Sequence, residues 1–382
     1  MSDWLSADEV CERLGVKAQT LYAYVSRGRV RAEPLPGAPH RSRYHAGDVL
    51  ALARRKARGR KAGDVAAGAI AWGEPVLDSA ITTVAGGRLY YRGRDAVRLA
   101  QSETLEAVAR LLRGGHGAAL RGEERAPPPA GATMRARAFA VLAARAGSDP
   151  AARGRAPLAL AVEAAALVDA LTDAVCGTSG GGAVHDRLAR AWDCDEGGGD
   201  VIRRALVLLA DHELNASTFA ARVTASTGSS LAACALAGLA ALSGPLHGGA
   251  GARVEALAAE AARIGPRGAI QARLAQGAAM PGFGHPLYPD GDPRAAALMA
   301  AFVPTPPFAA LRLAVESATG ERSNVDFALG AMAASLALPA DAPFALFAVA
   351  RCAGWIAHSL EQLNTGVLIR PRARYVGAEP EG

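Results

Sequence analysis

The sequence predicts a mainly α-helical protein, with a large helical body and a small basic module at its N-terminal end. Three observations predict this. Of the 382 residues 51% are hydrophobic and only 5% aromatic, and much of the apolar content is Ala, Leu and Val, which suits helices packed on helices. Apolar residues recur at helical spacing from about residue 104 to the end of the chain. The formal net charge is +6 and is unevenly spread: residues 1–61 hold 13 of the 42 Lys and Arg but 6 of the 36 Asp and Glu, a net +7. The remaining 29 basic and 30 acidic residues leave the body near neutral, so the excess charge belongs to a separate module.

Residues 1–61 read as one unit. Ser6 is placed to cap a first helix, and Glu9, three residues on, completes a capping-box spacing. Val10, Leu14 and Val16 give that helix an apolar side, and Gly15 marks a tight turn. A second helix, KAQTLYAYVSRGRV, ends near Gly28. LPGAPHRSRYHAGDV then supplies a turn and a basic strand, and GDVLALARRKARGRK a third helix. Two short helices around a glycine turn, followed by a wing, resemble the MerR-like winged helix-turn-helix family. The resemblance implies DNA contact by Lys17, Gln19, Thr20 and Tyr24 on the recognition helix and by Arg41 and Arg43 on the wing. A solvated basic face on a protein-binding module is the alternative.

A linker is expected at 62–69, and the body at 70–382. VAGGRLYYRGRD suggests a small hairpin within the alternating stretch 70–95. The Gly-, Pro- and charge-rich segments 122–133 and 177–200 read as surface loops. The start MSDWLSADEVCERLG is acidic and amphipathic, unlike a signal peptide, and no uninterrupted apolar run reaches the roughly 18 residues that span a bilayer. Cys11, Cys176, Cys194, Cys234 and Cys352 are scattered and show neither metal-ligand spacing nor a disulfide framework. A reducing, cytoplasmic setting with no membrane contact and no metal is the expectation.

Four segments place polar residues where a helical core does not need them: LLADHELNASTFAARV with His212, SGPLHGGAGARVEAL with His247, MPGFGHPLYPDGDPRA with His285 and Arg294, and SNVDFALGAM with Asp326. RCAGWIAHSLEQ with Arg351 and LIRPRARYVG with Arg370 follow. Glycines and prolines frame His247 and His285 and leave room for a ligand. Each histidine alone has a structural reading. Together with an aspartate and several arginines they suggest proton transfer on a di- or tricarboxylate, since arginine binds carboxylates bidentately.

DHELNASTFAARV, GPLHGGA, GFGHPLY with DPRA, NVDF and GWIAHSLEQ, in this order and spacing, resemble the citrate synthase family over residues 70–382. The resemblance implies a two-domain helical fold, with a large domain at 70–247 and 341–382 and a small domain at 248–340 that closes over the substrates. It implies condensation of acetyl-CoA with oxaloacetate to citrate and free CoA, or of propionyl-CoA to 2-methylcitrate, with no cofactor. Residue by residue, it implies that His247 hydrogen-bonds the enolate, His285 polarises the oxaloacetate ketone and Asp326 is the base. His212, Arg294, Arg351 and Arg370 would bind substrate, Arg370 by reaching into the other site of a homodimer.

The chain departs from the family in two ways. The body is short, with the shortfall between about 115 and 200. A basic residue often found four after the second histidine is here Pro289, which leaves Arg322 and Arg253 as candidates for the CoA phosphates. Arg294 as a helix cap and Arg351 as a buried ion pair are the structural alternatives, and His358 on its apolar helix reads as structural. A second function stays open beside the enzyme: a DNA-binding regulator that senses metabolites in a citrate-synthase-like domain.

Overall fold

The structure is a computed structural model describing residues 4–14, 16, 18–26, 30–35, 38–50, 77–115, 130–131, 133–373 and 375–378. The chain forms two compact units, Met1–Asp78 and Ser79–Gly382. The second therefore begins later than the expected residue 70, and the expected linker 62–69 lies outside the described residues.

In the first unit, β1 (Trp4–Leu5), α1 (Ala7–Leu14), α2 (Ala18–Ser26), β2 (Ala32–Leu35) and β3 (Ala38–His45) follow in order, and the strands form an antiparallel sheet in the order β1-β3-β2. The capping box is present: the Ser6 amide donates to Glu9 Oε2 at 2.7 Å and the Glu9 amide to Ser6 Oγ at 3.3 Å. Leu5, Val10, Leu14, Leu21, Val30, Tyr44 and Val49 form the core. Residues 46–50 begin the third helix, whose continuation to 61 lies outside the described residues.

Two of the expected DNA contacts have partners within the module. Tyr24 is half-buried and packs on this core, because it lies three residues after Leu21 on the same face of α2. Arg43 is held internally: its Nε donates to Glu33 Oε1 at 2.7 Å and its guanidinium lies over Trp4, 5.0 Å from the ring centroid. Thr20 is exposed, as is Tyr22, at 60%. Lys17 and the side chains of Gln19 and Arg41 lie outside the described residues.

The second unit opens with the expected hairpin, β4 (Thr82–Ala85) and β5 (Arg88–Tyr91), extended by β6 (Arg94–Asp95). Helices begin earlier than expected, with α3 (Ala96–Ser102) capped by Asp95, whose side chain accepts from the Val97 and Arg98 amides. α4 (Leu105–Leu112), α5 (Met134–Ser148) and α6 (Pro157–Cys176) follow. The segment 177–200 is not all loop. It holds α7 (Val184–Ala191) and the start of α8 (Glu196–Leu209). Asp195 caps α8, and its buried Gly198 and Gly199 let the helix approach Cys194 and Ala189 closely. Segment 122–133 lies mostly outside the described residues.

α9 (Ala216–Ser226), α10 (Leu231–Leu242) and the last helix complete the main core. Before that last helix, α11 (Ala250–Ile264), α12 (Pro266–Ala275), α14 (Pro306–Thr319) and α15 (Val325–Ser335) form a group of their own. The short α13 (Pro293–Met299) packs on α15 and also on α8 and α3, and so joins the group to the main body.

The last helix, α16 (Ala342–Thr365), is the axis of the unit and packs on α4, α5, α6, α8, α9, α10 and α15. By length and composition it could cross a membrane, but 94% of its apolar stretch is buried inside the fold, and it carries Arg351 and His358. Its Trp355 lies flat against Gly238 of α10, where an added Cβ would come within 2.6 Å of the indole. Gly238→Ala is therefore expected to destabilise the unit by about 2–4 kcal/mol through overpacking. Urea unfolding checks this, and an unshifted midpoint would contradict it.

Candidate active site

The polar residues singled out in the sequence converge around the C-terminal end of α8, the Ser243–Gly249 turn, the segment before α13, the start of α15 and the middle of α16. His212 is buried just past α8. Its Nε2 lies 2.9 Å from the Tyr288 hydroxyl, and its ring meets His285 edge-on at 5.3 Å between centroids. Burial, with Arg294 and Arg351 nearby, pulls the His212 pKa well below its ordinary value.

His285 sits in a turn shaped by Gly282 at φ +83°, where a Cβ would come within 2.9 Å of Phe327 and Val254. The Leu287 amide donates to His285 Nδ1 at 3.2 Å. In the neutral ring this places the proton on Nε2 and leaves that nitrogen as a donor. Burial, then Arg294, brings the pKa down to about 4, so the ring is neutral at pH 7.

His247 lies in the tight turn between α10 and α11. Its Nε2 is 2.9 Å from Ser217 Oγ, which also accepts from Trp355 Nε1 at 3.0 Å and donates to Asn215 Oδ1 at 2.7 Å. The Phe347 ring stands edge-on to it at 6.2 Å. Burial, then Arg351, lowers its pKa to about 4.

Asp326 occupies the first turn of α15, which Asn324 caps by accepting from the Asp326 and Phe327 amides. Asn324 also donates to the Gly284 carbonyl at 3.0 Å, tying the base to the His285 turn. The carboxyl is half-buried, and desolvation raises its pKa to about 6 against the pull of Arg294, Arg253 and Arg351.

The two buried arginines differ. Arg294 grips Asp292 through Nε at 3.0 Å and Nη2 at 2.8 Å, and Asp292 also accepts from the Val325 amide at 3.1 Å. Asp292 caps α13, so the helix-cap reading belongs to Asp292 while Arg294 is its clamped partner. Arg351 donates through Nε to the Leu209 carbonyl at 2.9 Å and lies over the Phe347 ring at 4.8 Å. Among the described residues no carboxylate forms a salt bridge with Arg351, and desolvation lowers its pKa to about 10. The ion-pair reading of Arg351 therefore fails. A buried guanidinium that makes no direct carboxylate contact, with Asp211 and Asp326 acting on it only at longer range, is poised for a ligand carboxylate.

His358 is structural, as expected: its Nε2 lies 3.1 Å from Asp211 Oδ2, both fully buried. Burial pushes the Asp211 carboxyl up, but His358 and Arg351 outweigh it and hold the pKa below its ordinary value.

Three other residues stand apart. Arg370 is exposed on the tail after α16 and does not join the site within one chain. Arg322 is exposed and paired with Glu316 at 3.1 Å, so it is not a free cation for phosphate. Arg253 is exposed on α11 and acts on the Asp326 carboxyl. Sequence reasoning missed Tyr288, Asp292, Ser217, Trp355 and Phe347. All but Phe347 lie inside the quoted motifs, and Phe347 stands one helical turn before Arg351.

Comparison with known proteins agrees with this geometry. Residues 129–372 match the family described as "Citrate synthase, C-terminal domain", and residues 4–57 match "Helix-turn-helix domain". A citrate synthase of Haloferax volcanii is 41% identical over 185 residues, covering 45% of this chain and 49% of the relative. A 2-methylcitrate synthase of Shewanella oneidensis is 35% identical over 187 residues, covering 46% and 50%. The chain thus spans about half the length of the curated relatives it matches. The crystal structure of citrate synthase from Thermotoga maritima superposes with a TM-score of 0.67 at 27% identity, covering 81% of this chain and 96% of that one. With the family match spanning more than half of its length, this chain belongs to the citrate synthase family, and it carries a helix-turn-helix domain at its N-terminal end.

Proposed function

We propose that the chain condenses an acyl-CoA with oxaloacetate, giving citrate from acetyl-CoA or 2-methylcitrate from propionyl-CoA, and releases free CoA. The observation that carries this is the convergence of His212, His285, Arg294 and Asp326 with the buried Arg351, which has no salt bridge among the described residues, the Asp326 pKa suiting a base near neutral pH. Arg294 and Arg351 bind oxaloacetate carboxylates beside His212. His285 donates from Nε2 to the ketone oxygen. Asp326 takes the α-proton of the thioester, and His247 donates to the enolate oxygen as charge develops there. The enolate carbon attacks the ketone carbon, and water then hydrolyses the thioester.

A neutral His247 carries one ring proton. To donate from Nδ1, it needs its Nε2 to accept from Ser217, whose hydroxyl must then turn away from Asn215. No step in this scheme needs a cofactor. Arg253 is the better placed of the two CoA candidates, since Glu316 occupies Arg322.

The large domain is read as 79–247 with 341–382, and the small one as 248–340, closing to exclude water. Two copies would pair through faces such as that of α6, where Leu158 is 70% exposed, with Arg370 entering the partner's site. The five cysteines are free thiols, which fits a reducing cytoplasm.

CoA release by the purified chain with oxaloacetate and each acyl donor tests the reading. Turnover is expected, and the better donor names the product. One methylene separates the donors by about 1–3 kcal/mol at most, so both are expected to react. A second reading, regulation through DNA, is favoured by the helix-turn-helix match and the basic N-terminal charge. Gel shifts of the full chain on random DNA should weaken steeply as salt rises. Absence of any shift at low salt would remove it.

A further inference from the structure

The carbonyls at the C-terminal end of α8 have no helical partners of their own. This end is also the seat of two site residues. Arg351 is anchored to it through Leu209, and His212 follows it directly. Two contacts from the β4-β5 hairpin hold it. The fully buried Tyr91 hydroxyl lies 3.0 Å from the Val207 carbonyl, 3.2 Å from Leu208 and 3.3 Å from Asp211, and accepts from the Asp211 amide at 3.4 Å. The Glu213 carboxylate accepts from the Val84 amide at 2.5 Å. Glu213 needs such a hold, because its backbone sits at φ +52°, a conformation that non-glycine residues rarely adopt.

We propose that Tyr91 and Glu213 are positioning residues, and that the hairpin is a strut fixing His212 and Arg351 in the oxaloacetate pocket. This rests on the functional reading above. Neither residue touches substrate. The hairpin clamps the chain on both sides of His212, at Asp211 and at Glu213, so releasing either contact lets the imidazole drift from Tyr288. The acyl-CoA side is further from the hairpin: Asp326 hangs on α15, and His247, on the Ser243–Gly249 turn, reaches the clamped segment only through Ser217 and Asn215, whose Nδ2 donates to the His212 carbonyl at 3.1 Å. The strut therefore acts directly on the oxaloacetate side, and on the acyl-CoA side only at second hand through Asn215 and Ser217.

The test uses the full chain with Tyr91→Phe, Glu213→Ala and Glu213→Gln. Misplacing a substrate contact is costly, so Tyr91→Phe and Glu213→Ala are expected to weaken calorimetric oxaloacetate affinity and raise its KM about tenfold. The KM for acyl-CoA should stay within about twofold of wild type. Glu213→Gln keeps the acceptor oxygen but not the charge, and should restore most of the oxaloacetate affinity that Glu213→Ala loses. Oxaloacetate affinity unchanged in the folded variants, or both KM values rising together, overturns the proposal. A wild-type chain that binds no oxaloacetate overturns the functional reading instead. Amide hydrogen exchange over 207–213 still reads the strut in that case: faster exchange in Tyr91→Phe supports it, and unchanged exchange sinks it.

Discussion

Asp326→Asn is expected to slow CoA release by about a thousandfold, because a positioned general base contributes roughly 10²–10⁴ to such a step. Oxaloacetate binding should survive, since the change leaves Arg294, Arg351 and His212 in place. A variant retaining more than a tenth of wild-type turnover would remove Asp326 from the role of base. The wild-type pH profile should agree. Desolvation holds the carboxyl protonated up to about pH 6, so turnover should fall as pH drops through about 6 rather than through 4.

The same shift affects stability. The ordinary value of 3.8 applies to the unfolded chain and about 6 to the folded one, so between them folding takes up a proton. The cost of the buried charge is fully present above pH 6 and disappears as pH falls toward 4. An asparagine amide carries no charge, so at pH 7–8 Asp326→Asn should stabilise the unit, by roughly 1–2 kcal/mol once the group's partial exposure is discounted. The gain should vanish near pH 4. Thermal unfolding at both pH values separates this from a change that is neutral throughout.

Arg351→Met is expected to weaken oxaloacetate binding about a hundredfold or more, since a desolvated guanidinium–carboxylate pair is worth several kcal/mol when one partner is removed. The fold should hardly notice. Without substrate the buried cation is a burden, shown by its pKa of about 10, and methionine fills much of its volume beside Phe347. The Leu209 carbonyl loses its donor, which offsets the relief. The net change in stability should be within about 1 kcal/mol. Calorimetry with oxaloacetate and a melting curve on the same sample decide it. Intact affinity would move the carboxylate site elsewhere, and a collapsed melting point would make Arg351 structural.

The helical class was legible in the Ala- and Leu-rich periodicity, and the residues of the candidate site because each lies in a short segment whose composition suits no core. Glycines and prolines frame His247 and His285, and Asp326 follows a helix-capping asparagine. The electrostatic division between Arg294 and Arg351 was not legible. It depends on Asp292, two residues from Arg294, folding back as a partner, while among the described residues no carboxylate makes a salt bridge with Arg351. Glycine content misled in part: at 177–183 it marks a loop as expected, whereas at Gly198 and Gly199 it signals close helix packing. Tyr24 and Arg43 looked like DNA contacts because charge and ring chemistry are visible in a sequence. That Arg43 also pairs with Glu33, and Tyr24 rests part of its ring on the module's core, is visible only in three dimensions.

The central place of α16 bears on the order in which the chain can fold during synthesis. Its partner helices run from α4 to α15, so the helix around which the second unit is built leaves the ribosome after all of them. Until then α4, α6, α8 and α10 have an uncovered apolar side, a state prone to aggregation and dependent on long-range closure, which is slow. The first unit has no such dependence, since the elements described in it are neighbours in sequence. A nascent chain therefore presents the described elements of its N-terminal module well before the candidate site can exist.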